Sequence, residues 1–310
     1  MRRVQYHRYG GPEVLRLEDA DLPAPAAGQV RVRVRAAAAN AMDWKIRSGE
    51  LRAMTGRAFP RGLGHDFAGV VETVGAGITR LHVGDEVLGA ATPRQAGAFA
   101  ELVLADEQGV AAKPEGLPFE HAATLPVVGV TALQALTRTG GVQPGQAVFV
   151  HGCLGGVGRA AVQLAKQRGA HVTGSCRPAS APLARDLGVD QVVDFDVDPS
   201  PLAHRSDLVL DTVGSLPITT ARALLRPGGR IVDIVPTPRK FARSFLPGAY
   251  SVLMGRPDTG DLAEVAGAAA YGLLHLPIAR TVPLADAIQA ITDLERAPTS
   301  GGGKLVITMD

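Results

Sequence analysis

The segment Val150-His151-Gly152-Cys153-Leu154-Gly155-Gly156-Val157-Gly158-Arg159 constrains this chain more than any other. It lies between a short apolar run, Ala147-Val148-Phe149-Val150, and a stretch from Gly158 to Arg168 that is expected to be helical. Gly155 would let backbone approach a pyrophosphate, and Gly158 would let the helix pack tightly on the strand before it. A helix N-terminus at this point adds free amides and the positive end of its dipole. Gly152, Leu154, Gly156 and Val157 complete the candidate phosphate loop. Cys153 stands where a strict Gly-x-Gly-x-x-Gly would have its first glycine. The weight therefore comes from the strand–loop–helix context within a βαβ unit, which a glycine turn of purely structural use would not need.

The same rhythm continues downstream. Strands are expected at 171–175, 191–194, 207–210 and 229–235, alternating with helices at 181–187 and 217–225. Such alternation gives a parallel, doubly wound sheet with helices on both faces. The first 110 or so residues are β-rich instead. Gln29-Val30-Arg31-Val32-Arg33-Val34-Arg35 alternates apolar and charged side chains with period two, and 69–75 and 98–104 are further strand candidates. Glycines 75, 77, 84 and 89 suit the tight corners of a small barrel. The last 50 residues hold two helical stretches, around 259–274 and 284–296, and a strand at 304–308.

The second strand of the βαβ unit bears on the cofactor. An NAD site places an acid about 20 residues on, to bind the ribose 2′-hydroxyl. No acid occurs between Gly158 and Asp186, and the strand ends Gly174-Ser175-Cys176-Arg177. The Ser175 hydroxyl and the Arg177 guanidinium would hold a 2′-phosphate, so the expected cofactor is NADPH. The competing view is that Arg177 is a solvated surface residue.

Composition excludes other classes. The net charge of the 310 residues is +2, so nothing global steers the chain to nucleic acid or to an anionic membrane. No apolar run approaches the roughly 18 residues needed to span a bilayer. The basic start, Met1-Arg2-Arg3, has no apolar segment behind it, so no signal peptide is expected. Two cysteines, Cys153 and Cys176, cannot build a disulfide framework. A cytoplasmic enzyme is the expectation.

With these residues in hand, the chain resembles the medium-chain dehydrogenase/reductase superfamily in its zinc-free quinone oxidoreductase and enoyl reductase branch. The resemblance rests on 9–15 (Tyr-Gly-Gly-Pro-Glu-Val-Leu), 40–49 (Asn-Ala-Met-Asp-Trp-Lys-Ile-Arg-Ser-Gly), 63–71, 83–87, 123–132 and the closing Gly303-Lys304-Leu305-Val306. It implies an α/β chain with a GroES-like β-rich catalytic domain, 1–119 and 258–310, and a doubly wound Rossmann domain, 120–257. It also implies an active site in the cleft between the domains. Relatives dimerise through the last sheet strand, here 249–254, so a homodimer is expected, and an exposed edge invites pairing.

The resemblance also organises the chemistry. His65, in Gly64-His65-Asp66, resembles the superfamily's histidine zinc-ligand motif. A catalytic zinc needs three protein ligands. Asn40 stands where zinc-dependent relatives have their first cysteine, and 125–127 offers no Cys or His. No metal is expected, and His65 is taken as a structural turn histidine. Hydride transfer belongs to the nicotinamide, and donors at the acceptor's oxygen lower the barrier. Asn40, Lys45 and Thr131 are the candidate donors, and Asp43 would fix the loop or relay a proton. Trp44 would wall the pocket or pack in the core. Some relatives with enoyl reductase activity place a tyrosine as proton donor in this loop, and this chain has none there. The resemblance maps Asp211-Thr212-Val213-Gly214 and Ile234-Val235-Pro236 to the strand ends facing the nicotinamide. Relatives often carry His or Arg before the final Gly-Lys, where this chain has 300–303 (Ser-Gly-Gly-Gly).

The expected activity is reduction of a quinone or of an enone or enoyl C=C bond. The alternatives are a nucleotide-binding redox sensor or structural protein without turnover, and a zinc alcohol dehydrogenase, which the missing ligands disfavour. A methyltransferase shares the Gly-rich turn but usually wants an acid at the second strand end.

Overall fold

In the computed structural model, residues 1–56, 58–297 and 302–309 are described. They form two compact units. One comprises Met1–Val127, Pro257–Gly272 and Leu276–Asp310, the other Val128–Arg256 and Leu273–His275. Ser300 and Gly301, in the tail segment that departs from the family pattern, lie outside the described residues. Among the described residues no helix is long and apolar enough to cross a membrane.

The first unit opens with strands β1 (Arg2–Tyr6), β2 (Leu15–Asp19) and β3 (Gln29–Ala38). Helices α1 (Ala41–Ser48) and α2 (Arg52–Thr55) follow. Next come β4 (Arg61–Gly62), β5 (Asp66–Val74), β6 (Glu86–Ala90), β7 (Leu102–Asp106), β8 (Val110–Ala112) and α3 (Phe119–Ala123). The chain returns to this unit as α9 (Thr259–Ala270), β15 (Ile278–Pro283), α10 (Ala287–Arg296) and β16 (Lys304–Thr308). A small sheet has the order β2-β1-β4, and a larger one runs β15-β16-β3-β5-β6-β8, with β7 also on β3.

The alternation in β3 turns Val30, Val32 and Val34 into the core and leaves Arg33 and Arg35 exposed. Beyond Arg35 the strand is all alanine and wholly buried, which lets β5 and β16 close on it from either side. Gly69 is needed here, because a Cβ would sit 2.1 Å from the Arg33 carbonyl oxygen. On α10, Ala287, Ala290 and Ile291 face inward at helical spacing, with Leu294 packed beside them.

The strand expected over 98–104 is divided between two partners. Phe99 exchanges backbone hydrogen bonds with Val4 and Leu63, Ala100 bridges Arg3, and β7 then starts at Leu102 against β3. Ala98, Phe99 and Ala100 are consecutive and fully buried, so that part of the run carries no two-sided alternation. Of the four corner glycines, Gly77 and Gly84 adopt positive φ, whereas Gly75 and Gly89 are limited by space.

In the second unit, α4 (Pro126–Gln134, whose first two residues belong to the first unit) leads to β9 (Ala147–His151), α5 (Gly156–Gln167) and β10 (His171–Cys176). The chain continues through α6 (Ala181–Asp186), β11 (Gln191–Asp194), β12 (Ser206–Asp211) and α7 (Ile218–Leu224). It ends with β13 (Leu225–Asp233), α8 (Pro238–Ser244) and β14 (Tyr250–Val252). The sheet is parallel throughout, in the order β11-β10-β9-β12-β13-β14. Central β12 is buried along its whole length, as a strand covered on both faces must be. Phe149, Val209, Leu224 and Ile231 form the core on one face. The expected strand 249–254 is the short edge strand β14.

Candidate functional site

The candidate phosphate loop joins β9 to α5. Gly152 has φ +75, which a side chain rarely adopts, and a Cβ there would strike Val213 at 2.4 Å. Gly158 is closed off further, with the Gly152 carbonyl oxygen 2.2 Å from the position of a Cβ. The helix can therefore start only if both residues lack side chains. Gly155, its N-cap, is exposed, and Gly156 and Val157 are half-buried, while Leu154 is buried beneath. The first amides of α5 have no intrahelical partner, so the open edge of the loop presents N–H groups and the helix dipole to an anion.

The loop is held from below by a chain of side chains. The Ser175 hydroxyl, expected to meet a 2′-phosphate, is fully buried and accepts from the Gly152 amide at 3.2 Å. It also meets His151 Nδ1 at 2.7 Å, and His151 Nε2 reaches the Ser215 hydroxyl at 3.0 Å. Period two in β10 explains the inward direction of Ser175. Burial, partly offset by Asp211, holds the His151 imidazolium form below its usual range. Arg177, just past β10, is exposed. In the sheet register Asp194 of β11 lies opposite Cys176, so the neighbouring strand places a carboxylate beside the end of β10.

At the end of β12, Asp211 is buried and caps the following loop. Its Oδ1 accepts from the amides of Val213 and Gly214 at 3.0 and 2.7 Å, and its Oδ2 accepts from Leu216 at 3.0 Å. This leaves Val213 exposed at the C-terminal edge of the sheet, with Ile234 half-buried at the end of β13. Thr131, on α4, packs against Gly255, where a Cβ would sit 2.5 Å from its hydroxyl.

The first unit brings Asn40 and Asp43 together in a buried polar cluster. Asp43 reaches back from the first turn of α1, and its Oδ2 accepts from the Asn40 amide at 2.7 Å. Its Oδ1 meets His65 Nδ1 at 2.5 Å. An ionised carboxylate only accepts, so Nδ1 carries the proton. Nε2 is buried and has no hydrogen-bond partner. The Asn40 side chain, expected to face a substrate or ribose, is engaged within the unit. Its Nδ2 donates to Asp66 at 2.9 Å and to the Ala38 carbonyl at 3.3 Å, and its Oδ1 accepts from Lys304 at 2.6 Å. Asp66 also accepts from the Val127 amide at 2.9 Å. Burial pushes the Asp66 carboxyl up to about 7 despite the nearby Lys304 cation, and burial lowers Lys304. Lys45, on the same helix, is half-buried, and its ammonium has no partner among the described residues. Trp44 is half-buried too. Sequence reasoning left Asp66 and Lys304 out of the site; only their buried charges, invisible in a linear pattern, mark them.

The donor set does not fit a catalytic zinc. Among the described residues no three His, Cys, Asp or Glu side chains gather where a metal could sit.

Comparison with known proteins gives matches to two family descriptions. Residues 26–115 match "Alcohol dehydrogenase GroES-like domain" and residues 187–307 match "Zinc-binding dehydrogenase". A quinone oxidoreductase of Pseudomonas aeruginosa is 31% identical, over 98% of this chain and 99% of its own. Among solved structures, a quinone oxidoreductase from Coxiella burnetii superposes with a TM-score of 0.88 at 31% identity, covering 100% of this chain and 99% of that one. A mycobacterial protein solved in complex with NADPH has a TM-score of 0.82 at 28% identity, covering 99% of this chain and 100% of that one.

The Asp66 carboxyl yields a pH test. Its folded-state pKa, near 7, lies above the ordinary 3.8, so the folded state binds the proton more tightly than the unfolded chain does. The stability this contributes is full below about pH 4 and is lost as pH rises toward 7. Urea unfolding of the wild type and of Asp66→Asn across pH 4–8 should show the wild type losing ground to the variant over that window. A difference that stays flat with pH would refute the assignment.

Proposed function

The chain belongs to the zinc-free quinone oxidoreductase branch of the medium-chain dehydrogenase/reductase superfamily, an NAD(P)H-dependent oxidoreductase family, and from that premise we propose that it reduces a quinone or an activated C=C bond with NADPH. The observation that carries the reading is the amide edge at Gly155–Gly158, where Gly158 leaves no room for a Cβ and the helix N-terminus has no side-chain cap. Those amides would hold the pyrophosphate. Arg177 would pair with the 2′-phosphate, as a guanidinium does with planar oxyanions. Ser175 would act from beneath, by fixing Gly152. The Val213–Gly214 loop and Ile234 would bound the nicotinamide at the C-terminal ends of the strands. NADPH bound there would supply the hydride.

On the acceptor side, a conjugated substrate spreads incoming charge over several atoms, so a few hydrogen-bond donors stabilise it adequately. A simple ketone needs stronger polarisation of the kind a metal gives, and among the described residues no three side chains gather as a zinc site. Lys45, with its unpartnered ammonium, and the Thr131 hydroxyl are the donors assigned to this task. Asn40 and Asp43 are assigned the positioning of α1, because their polar atoms are already engaged. Self-association through the unpaired edge of β14 belongs to the same reading, with Phe245 and Leu246 exposed just before it at 85% and 66%. A reducing cytoplasm suits the two buried free thiols.

NADPH oxidation should be followed with a panel of quinones, enones and enoyl thioesters, and turnover with at least one class is expected. Oxidation of simple alcohols with NADP+ and silence toward the whole panel would sink the reading. Arg177→Glu should weaken NADPH binding by about 1.5–3 kcal/mol, the range for hydrogen bonds to a charged group, and leave NADH little changed. Equal wild-type affinities for the two cofactors would count against the 2′-phosphate contact. Light scattering should give twice the 32.2 kDa chain mass, and a monomer mass would argue for a covered edge.

A further inference from the structure

The proposed cofactor surface of the second unit is built from two loops, 152–155 after β9 and 212–216 after β12. The loops touch: a Cβ on Gly152 would lie 2.4 Å from the Val213 side chain. The Thr212 amide and hydroxyl donate to the His151 carbonyl at 3.2 and 2.7 Å. One side chain bonds toward both. His151 is 2% exposed, with Nδ1 2.7 Å from the Ser175 hydroxyl and Nε2 3.0 Å from the Ser215 hydroxyl. The Phe195 ring packs against the imidazole, 4.5 Å between centroids.

The proton positions follow from what each group has left to give. The Gly152 amide only donates, so Ser175 Oγ accepts from it. Ser175 is fully buried and has no further partner among the described residues, so its own proton goes to Nδ1. The imidazole therefore carries its proton on Nε2 and donates to Ser215. A second ring proton would leave the buried Ser175 proton without an acceptor. Burial, partly offset by Asp211 and Asp196, already disfavours that cationic form.

The 212–216 loop needs such a tie at Ser215. Asp211 binds the amides of Gly214 and Leu216 on either side of it, and Lys240 donates to the Gly214 carbonyl at 2.8 Å while pairing with Asp233 at 2.6 Å. Those contacts hold the backbone around Ser215, which is exposed, and His151 holds its side chain. A loop ordered in the free protein does not have to be ordered when a ligand binds, which favours affinity.

We propose that His151 is a positioning residue for the nicotinamide half of the cofactor. By accepting from Ser175 and donating to Ser215, it locks the 212–216 loop to the phosphate loop, so that the two halves of NADPH meet one preformed surface. This rests on the NADPH site proposed above.

Calorimetric titration with NADPH and with ADP-ribose 2′-phosphate, which lacks the nicotinamide, separates the two halves. His151→Asn keeps an acceptor for Ser175 but is too short to reach Ser215. Ser215→Ala removes the other end of the same bond at an exposed position. Each variant should shift the ratio of the two affinities against NADPH by roughly fivefold, the loss of one hydrogen bond. The double variant should be no weaker than either single one, because both remove the same bond. Equal losses for the two ligands, unchanged affinities, or additive losses in the double variant would each overturn the proposal. If His151→Asn does not fold, the ratio in Ser215→Ala decides alone. A wild type that binds neither ligand would overturn the cofactor reading itself, and this assignment with it. A wild type that binds both, with the ratio unchanged in Ser215→Ala, overturns the role of His151 and leaves the cofactor reading standing.

Discussion

Lys304 donates to Asn40 across 264 residues of sequence, and this one buried contact decides how the first unit closes. The lysine starts β16, the strand that completes the large sheet beside β3. Asn40 is the N-cap of α1, and Asp66, which starts β5, binds both its amide and the Val127 amide. The tail strand, the first helix and the last residues before the second unit thus share one buried polar cluster. Each member is nine-tenths or more buried, so an unsatisfied group there would cost more than an ordinary hydrogen bond contributes. The cluster fixes α1 in place, and Lys45 with it.

The second unit is organised by exclusion rather than attraction. Gly152 and Gly158 leave no room for a Cβ, because the Val213 side chain packs over the first and backbone of the loop itself over the second. Ser175, on the neighbouring strand β10, then clamps the turn through Gly152 and through His151 at the end of β9. Cys153 fits the first-glycine position because its side chain points inward against Gly174, where a Cβ would sit 2.9 Å from its sulfur. The loop thus tolerates a cysteine where a strict glycine pattern has none, provided the next strand has glycine opposite. Burial raises that thiol to about 12, so it behaves as a small apolar filler rather than a nucleophile.

These two modes of organisation explain what could be read in the chain beforehand. Strand–helix alternation and glycine spacing are local, and β11 and β16 appear over 191–194 and 304–308 as the pattern implies. The α5 helix starts two residues early, at Gly156, because its N-cap is Gly155. The partition of 98–106 between two sheets depends on Leu63 and Val4, far away in sequence, and no local periodicity carries it. The direction of Ser175 was available from its neighbours. Gly174 and Cys176 flank it, and the strand's pleat alternates faces, but the hydroxyl suggested a ligand more strongly than the pleat suggested a bond beneath the loop. Asn40 and Asp43 were found as polar residues after a strand, whereas their partners His65, Asp66 and Lys304 meet them only in three dimensions.

The inward commitment of these side chains bears on the chemistry. Hydrogen-bond donors help a transition state when they are preorganised and aimed at the developing charge. In the first unit, the donors of Asn40 are spent on Asp66 and Ala38, and redirecting them would strand a buried carboxylate. Arg47 is fully buried and paired with Glu295, which leaves Lys45 as the half-buried cation of α1. A single ammonium is a weak substitute for a coordinated metal, because it carries one charge and must be desolvated as charge develops. Acceptors that delocalise the incoming electrons ask least of such a donor. A quinone, or an alkene conjugated to a carbonyl, is an acceptor of that kind, which is why the proposed function names that class.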